Sequence, residues 1–163
     1  SLPGISGSLS GSEEKVADDL PGDAGRKSLI VNTDGAARGN PGPAAAAAVV
    51  FDTDGSEIYS RAVSLGRATN NEAEYRGLIL GLDLARALGC REILVRMDSE
   101  LVVRQMNGEY RIKKEHLREL AQVASGKAAH FDAVRYQHVP RAENSRADKL
   151  ANDLLDEEAR PAG

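Results

Sequence analysis

Two short apolar runs, each leading to an aspartate, constrain this 163-residue chain more than any other feature. The first, Leu29-Ile30-Val31, runs to Asp34; the second, Ile93-Leu94-Val95, runs to Asp98. Continuous β-branched and leucine-rich runs suit strands buried on both faces, and such strands need helices on either side of their sheet. Gly35, Gly39, Pro41 and Gly42 crowd the residues after Asp34 and are expected to stop the first strand there. Asp98 ends the second strand just before Ser99, a residue suited to cap a helix. The strand-helix alternation that begins at the second run implies a mixed or parallel sheet, on which carboxylates at neighbouring strand ends share one rim.

The stretch between the two runs supplies a hairpin and a long helix. Five alanines in Ala44 to Phe51 favour helix, but the Val49-Val50-Phe51 ending and the Asp-Thr-Asp-Gly turn at 52–55 favour a strand, with Glu57 to Leu65 returning as its partner. Thr69-Asn70-Asn71-Glu72 has the pattern of a capping box, so a helix is predicted to about Leu88, ended by Gly89. Glu74, Gly77, Leu78, Gly81, Leu82 and Ala85 share one face of it. The two glycines allow that face to approach its neighbour closely, so Glu74 points inward near the helix start.

After Asp98 a short helix is predicted to stop near Asn107-Gly108. A second, marked by Leu117, Leu120, Ala121 and Ala124, is expected to close at Gly126. Phe131 to Val139 reads as the last strand. Ala147, Leu150, Ala151, Leu154 and Leu155 then give a clean helical stripe, with Asn144 as its cap and Asp148 in its first turns.

With no Trp and an aromatic content of 4%, the core must be built from Ala, Leu, Val and Ile. The single cysteine, Cys90, excludes an internal disulfide and suits a reducing compartment. No apolar run approaches the ~20 residues that cross a bilayer, so a cytoplasmic protein without a membrane partner is expected. Residues 1–27, rich in Ser, Gly and acids without apolar period, read as a flexible linker or a vector-derived remnant. The folded domain is placed at residues 28–159, followed by a tail at 160–163. A net charge of -4 does not announce a nucleic-acid partner. The one basic cluster, Arg104, Arg111, Lys113, Lys114 and Arg118, either meets phosphates or solubilises two helices.

Four acids thus occupy special places: Asp34 and Asp98 at strand ends, Glu74 on an inward helix face, Asp148 at the start of the last helix. Crowded carboxylates repel one another unless cations neutralise them. Hard divalent ions are the natural answer, and Mg2+ in particular binds through few carboxylates plus substrate phosphate oxygens. The lack of Cys-rich or His-rich spacing argues against zinc. Two such ions ~4 Å apart can activate a water and stabilise the leaving oxygen of an in-line phosphoryl displacement.

Thr33-Asp34-Gly35 with Gly39-Asn40-Pro41-Gly42, Thr69-Asn70-Asn71-Glu72-Ala73-Glu74, Met97-Asp98-Ser99, and His138 followed by Asn144 and Asp148 together resemble the type 1 ribonuclease H family. The pattern is nearest to the ribonuclease H domain that actinobacterial proteins join to an acid phosphatase domain, and covers about Ser28 to Ala159. The resemblance implies an α/β fold: a five-stranded mixed sheet, its first three strands antiparallel, flanked by helices. It implies an endonuclease that hydrolyses the RNA strand of an RNA/DNA hybrid with two Mg2+ ions, Mn2+ being a substitute; separately from the resemblance, a monomer is expected, with another domain formerly attached at the N-terminus as an open alternative. Metal binding and catalysis fall to Asp34, Glu74, Asp98 and Asp148, and His138 gains a role in proton transfer or product release. Asn40, Thr69, Asn70, Asn71, Glu100 and Asn144 match hybrid-contacting positions.

Two departures stand out. Leu101 to Leu120 has no room for the basic, Trp-bearing insertion that some members use to hold substrate, and Glu100 stands where some relatives carry Gln. Two other readings remain open at this point: a related nuclease that also cuts double-stranded RNA, and a hybrid-binding module without catalysis.

Overall fold

The computed structural model describes residues 28–161; the expected linker at 1–27 and the last residues of the tail lie outside them. Strands β1 (Ser28–Ala37), β2 (Gly42–Phe51) and β3 (Glu57–Ala68) come first, then helix α1 (Asn70–Ala87), β4 (Glu92–Met97), α2 (Glu100–Met106), α3 (Glu115–Ala128), β5 (Ala133–His138), a 3₁₀ turn (Arg141–Asn144) and α4 (Ser145–Glu158). They form one five-stranded sheet in the order β3-β2-β1-β4-β5. Antiparallel pairing joins the first three strands, while β1, β4 and β5 run parallel. This is the mixed sheet that the sequence resemblance implied.

The first correction concerns β1. The strand does not stop at Asp34 but continues through Gly35 to Ala37, pairing with β2 as far as Ala37 opposite Ala44. Only the parallel ladder to β4 stops, at Thr33 opposite Met97. Asp34 therefore stands at the end of one ladder and in the middle of another. Asp98, the residue after β4, lies beside it for that reason.

The alanine run folds as strand because β2 is the sheet's middle antiparallel strand, where tertiary context outweighs helix propensity. Ala44 to Ala48 are all at most 1% exposed, and their small side chains let helices press on both faces. On one face α1 lies against β1 and β2. On the other, Ala151 and Leu155 of α4 pack with Ala45 and Ala47.

Helix α1 begins as expected. Thr69 accepts from the Glu72 N–H at 3.2 Å, and Glu72 Oε1 accepts from the Thr69 N–H at 2.8 Å. The helix ends before Gly89, at φ 79°. The predicted close approach is real: a Cβ on Gly81 would stand 2.7 Å from Thr33 Cγ2 and 2.9 Å from Val31 Cγ1.

Helix α3 departs from expectation, because Gly126 sits within it rather than closing it. The next residue, Lys127, is fixed by a buried ion pair to Asp83 of α1 at 2.8 Å, and the helix runs on to present it. Among the described residues, no helix is long and apolar enough to cross a membrane.

Candidate active site

Backbone contact between β1 and α1 assembles the centre of the site. A Cβ on Gly35 would lie 2.1 Å from the Ala73 carbonyl carbon, and one on Gly77 2.5 Å from the Asp34 carbonyl oxygen. Only glycine fits either place, so strand and helix touch without side chains between them. Glu74 on the first turns of α1 is thereby held over β1, where its Oε1 accepts the Gly35 N–H. Asp98 completes a triplet in which Asp34, Glu74 and Asp98 each offer a carboxylate oxygen within 4.8 Å of the others.

Asp148 stands apart from that triplet on the wall of the same cleft, about 430 Å³ in volume, which Asn70, Asn71, Ser99 and Arg141 also line. Its Oδ1 accepts from Asn152 Nδ2 at 3.2 Å and lies 3.6 Å from the exposed Arg141 guanidinium.

Electrostatics match the geometry. Burial raises the pKa of Asp34 well above the carboxylate range, with Glu74, Asp98 and Asp148 adding to the effect. Burial raises Glu74 as well, while hydrogen bonds to Asp34, the Gly35 N–H and Ser99 pull it back. Among the described residues, no cationic side chain forms an ion pair with Asp34, Glu74 or Asp98. An all-oxygen nest of crowded, buried carboxylates without a protein counter-charge fits a hard divalent cation.

The raised pKa values have a measurable consequence. Below about pH 4 both native and unfolded chains hold these protons; above it only the native cluster does. The native state then binds more protons, so this contribution to stability falls as pH rises through the raised values. In EDTA, the stability of the protein relative to Asp34→Asn, which cannot titrate at that position, is expected to decline between about pH 5 and about pH 8. Melting curves of both proteins across that interval check it; a relative stability that climbs with pH would contradict the proton placement.

The remaining expected site residues are distributed less evenly. His138 lies exposed on β5, opposite Met97 in the ladder, one strand beyond the triplet. Asn70 and Asn71 line the cleft at the start of α1, and Thr69 caps that helix. Asn40 reaches over from the β1–β2 loop, its Oδ1 accepting the Asn70 N–H at 3.0 Å. Glu100 is exposed and engaged with Arg104 at 3.1 Å.

Asn144 takes the place before α4 that was expected of it, but its side chain is turned inward. It occupies the cap position of α4 without a side-chain cap bond and is fully buried. Its amide instead donates to the Thr33 carbonyl at 2.9 Å and Asp98 Oδ1 at 3.3 Å. Both neighbours lie far away in the chain, which drew the side chain inward.

Sequence reasoning missed Asn152 and Arg141 as lining of the cleft. Only Asn152 left a signal, its i,i+4 spacing from Asp148.

The basic cluster lies next to this cleft. Asn71 also lines a second groove of about 430 Å³ with Tyr110, Arg111, Lys113 and Lys114. Arg104 sits 5.3 Å from the centre of the Tyr110 ring, while Arg118 donates to the Ile112 carbonyl at 3.2 Å.

This sheet order, with carboxylates gathered from β1, α1 and β4 at one rim, defines a ribonuclease H-like domain. A family model described as reverse transcriptase-like matches residues 32–154. The chain is 48% identical over 135 residues to the bifunctional protein Rv2228c of Mycobacterium tuberculosis, covering 82% of this chain but only 37% of that protein. It is 44% identical over 124 residues to ribonuclease HI of Halobacterium salinarum, covering 76% of this chain and 62% of the relative.

Solved structures agree. The N-terminal RNase H domain of Rv2228c, fused to maltose binding protein, superposes with a TM-score of 0.79 at 47% identity, covering 82% of this chain and 96% of that one. LC11-RNase H1 in complex with an RNA/DNA hybrid gives 0.78 at 38% identity, covering 81% and 99%. The chain belongs to the type 1 ribonuclease H family.

Proposed function

We propose that this protein is a metal-dependent endonuclease that hydrolyses the RNA strand of RNA/DNA hybrids. The observation that carries this reading is the convergence of Asp34, Glu74 and Asp98 within 4.8 Å of one another in a cleft that Asp148 also lines. The similarity to an RNase H1 solved with an RNA/DNA hybrid supports the substrate.

Asp34, Glu74, Asp98 and Asp148 would hold the metal, one or two ions according to whether substrate is bound. Mg2+, or Mn2+ in its place, would supply a water of lowered pKa and offset charge on the leaving oxygen. The carboxylates set the position of the scissile phosphate. Water attacks phosphorus, the bond to the 3′ oxygen breaks, and the products carry a 5′-phosphate and a 3′-hydroxyl.

Asn70 and Asn71 stand beside the carboxylates, where short amides suit the wide, shallow minor groove of an A-like duplex and its 2′-hydroxyls. Asn40 and Thr69 shape the same corner, while Glu100 faces outward. The groove bearing Tyr110, Arg111, Lys113 and Lys114 gives phosphates a path away from the acidic centre. Residues 28–159 form the catalytic domain in this reading.

His138 sits at the edge of the site and assists proton transfer or product release. His138→Ala is expected to slow turnover by roughly 10²-fold without abolishing it, in keeping with a positioned proton-transfer group. Steady-state cleavage measures this; unchanged turnover, or a loss as deep as that of a carboxylate variant, would contradict the role.

Incubating labelled RNA/DNA, RNA/RNA and DNA/DNA duplexes with the protein, in Mg2+ and in EDTA, tests the reading as a whole. Cleavage of the hybrid's RNA strand in Mg2+ alone is expected. An intact hybrid would favour a binding module, and equal cutting of RNA/RNA a broader nuclease.

A further inference from the structure

We propose that Asn144 is a positioning residue that fixes the Asp98 carboxylate in the cleft and links it to the turn following His138. This inference rests on the function proposed above. Asn144 is 0% exposed, and its two amide hydrogens are committed, one to the Thr33 carbonyl at 2.9 Å and one to Asp98 Oδ1 at 3.3 Å. Both partners are acceptors, so only the NH2 end of the side chain can face them. The orientation is therefore determined by chemistry, and it leaves Asn144 Oδ1 buried without a hydrogen-bond partner among the described residues. A side chain retained to cap α4 would turn its oxygen towards the helix N–H groups, and Asn144 makes no such bond.

The same bond pair joins three pieces of the fold. The Thr33 carbonyl belongs to the last β1–β4 pair, Asp98 follows β4, and Asn144 ends the 3₁₀ turn that begins three residues after His138. A second bond strengthens the attachment: Asn32 of β1 donates through Nδ2 to the Glu143 carbonyl at 3.2 Å. Further up the same segment, the Val139 N–H donates to the Met97 carbonyl at 2.8 Å. The segment from 139 to 144 is thus pinned at both ends to the strands that carry Asp34 and Asp98.

Asp98 is only half-buried and has no cationic partner among the described residues, so without the amide its carboxylate is free to turn towards solvent. Groups that orient a metal ligand are typically worth about 10- to 100-fold in metal affinity. Asn144→Ala removes both donors. Asn144→Asp keeps the shape but sets a second carboxylate against Asp98. Asn144→Ser keeps one short donor and guards against failure of the other two to fold.

Mn2+ titrated into the protein without nucleic acid, followed by electron paramagnetic resonance, reads the effect without relying on activity. Binding is expected to weaken by about 10- to 100-fold in Asn144→Ala and Asn144→Asp, and by less in Asn144→Ser. In hybrid cleavage the half-saturating Mn2+ concentration should rise in the same order, with KM for the hybrid unchanged. Mn2+ binding equal to wild type in folded variants, with only a lower melting temperature, would make Asn144 a packing residue and overturn the proposal. A wild-type protein that binds Mn2+ but leaves hybrid intact would instead count against the nuclease reading, and the titration would still decide the role of Asn144.

Discussion

Asp98→Asn is expected to lower hybrid cleavage by about a thousandfold or more while leaving hybrid binding intact or tighter. Stabilisation of developing charge through a metal site is worth several kcal/mol, and each ~1.4 kcal/mol is a decade in rate. An amide has nearly the shape of the carboxylate but no negative charge to hold a cation. Its oxygen can still accept from Asn144 Nδ2, which reaches this position at 3.3 Å, so the fold around it is preserved. Removing one charge from a cluster that repels phosphates favours the nucleic acid. Cleavage under multiple-turnover conditions and a binding titration in the absence of divalent ions measure the two effects separately. Activity within about tenfold of wild type would show that the reaction does not run through this carboxylate.

Gly77→Ala carries the second large effect, and it acts through packing. A Cβ there would stand 2.5 Å from the Asp34 carbonyl oxygen, a backbone atom that cannot swing aside. Helix and strand must part, which overpacking data place at about 1–3 kcal/mol of stability. Glu74 and Asp34 sit on the two elements being separated, so the triplet opens with them. Misplacement of a reacting group by ~1 Å costs about 10²-fold in rate, and a loss of that order is expected in a variant that still folds. Gly126→Ala is the control, since nothing lies within 4 Å of a Cβ at that position. Full activity in folded Gly77→Ala would mean that the approach of α1 to β1 does not set the site.

How far the sequence reveals this molecule depends on the range of each interaction. The inward face of α1 is legible because glycines at 77 and 81 recur at helical spacing beside Glu74, and periodicity reports which way a side chain points. The capping box at Thr69 is legible because both of its bonds close within four residues. Asp34 reads as the end of its strand because glycine usually ends one. Here the glycine admits a helix backbone, while the alanines of β2 continue the pairing on the other side.

Gly126 misled for the opposite reason: it makes no close contact, and the helix continues to seat Lys127 against Asp83, 44 positions away. Asn144 shows the limit most clearly. Its place before a helix predicts a cap, and only the fold reveals Asp98, 46 positions back, as its partner. Asp148 follows the same logic in part: its helix was legible, but not its distance from the other three acids.

The central claim is that acids from separate segments form one berth for divalent ions at the rim of the sheet. Anomalous diffraction from Mn2+ in crystals of the wild-type protein, alone and bound to an RNA/DNA hybrid whose RNA linkages resist cleavage, tests that claim most directly. Density in contact with the Asp34 and Glu74 carboxylates and facing the RNA phosphate is the expected result. Mn2+ bound only elsewhere on the protein, with these side chains still clustered but bare, would contradict it.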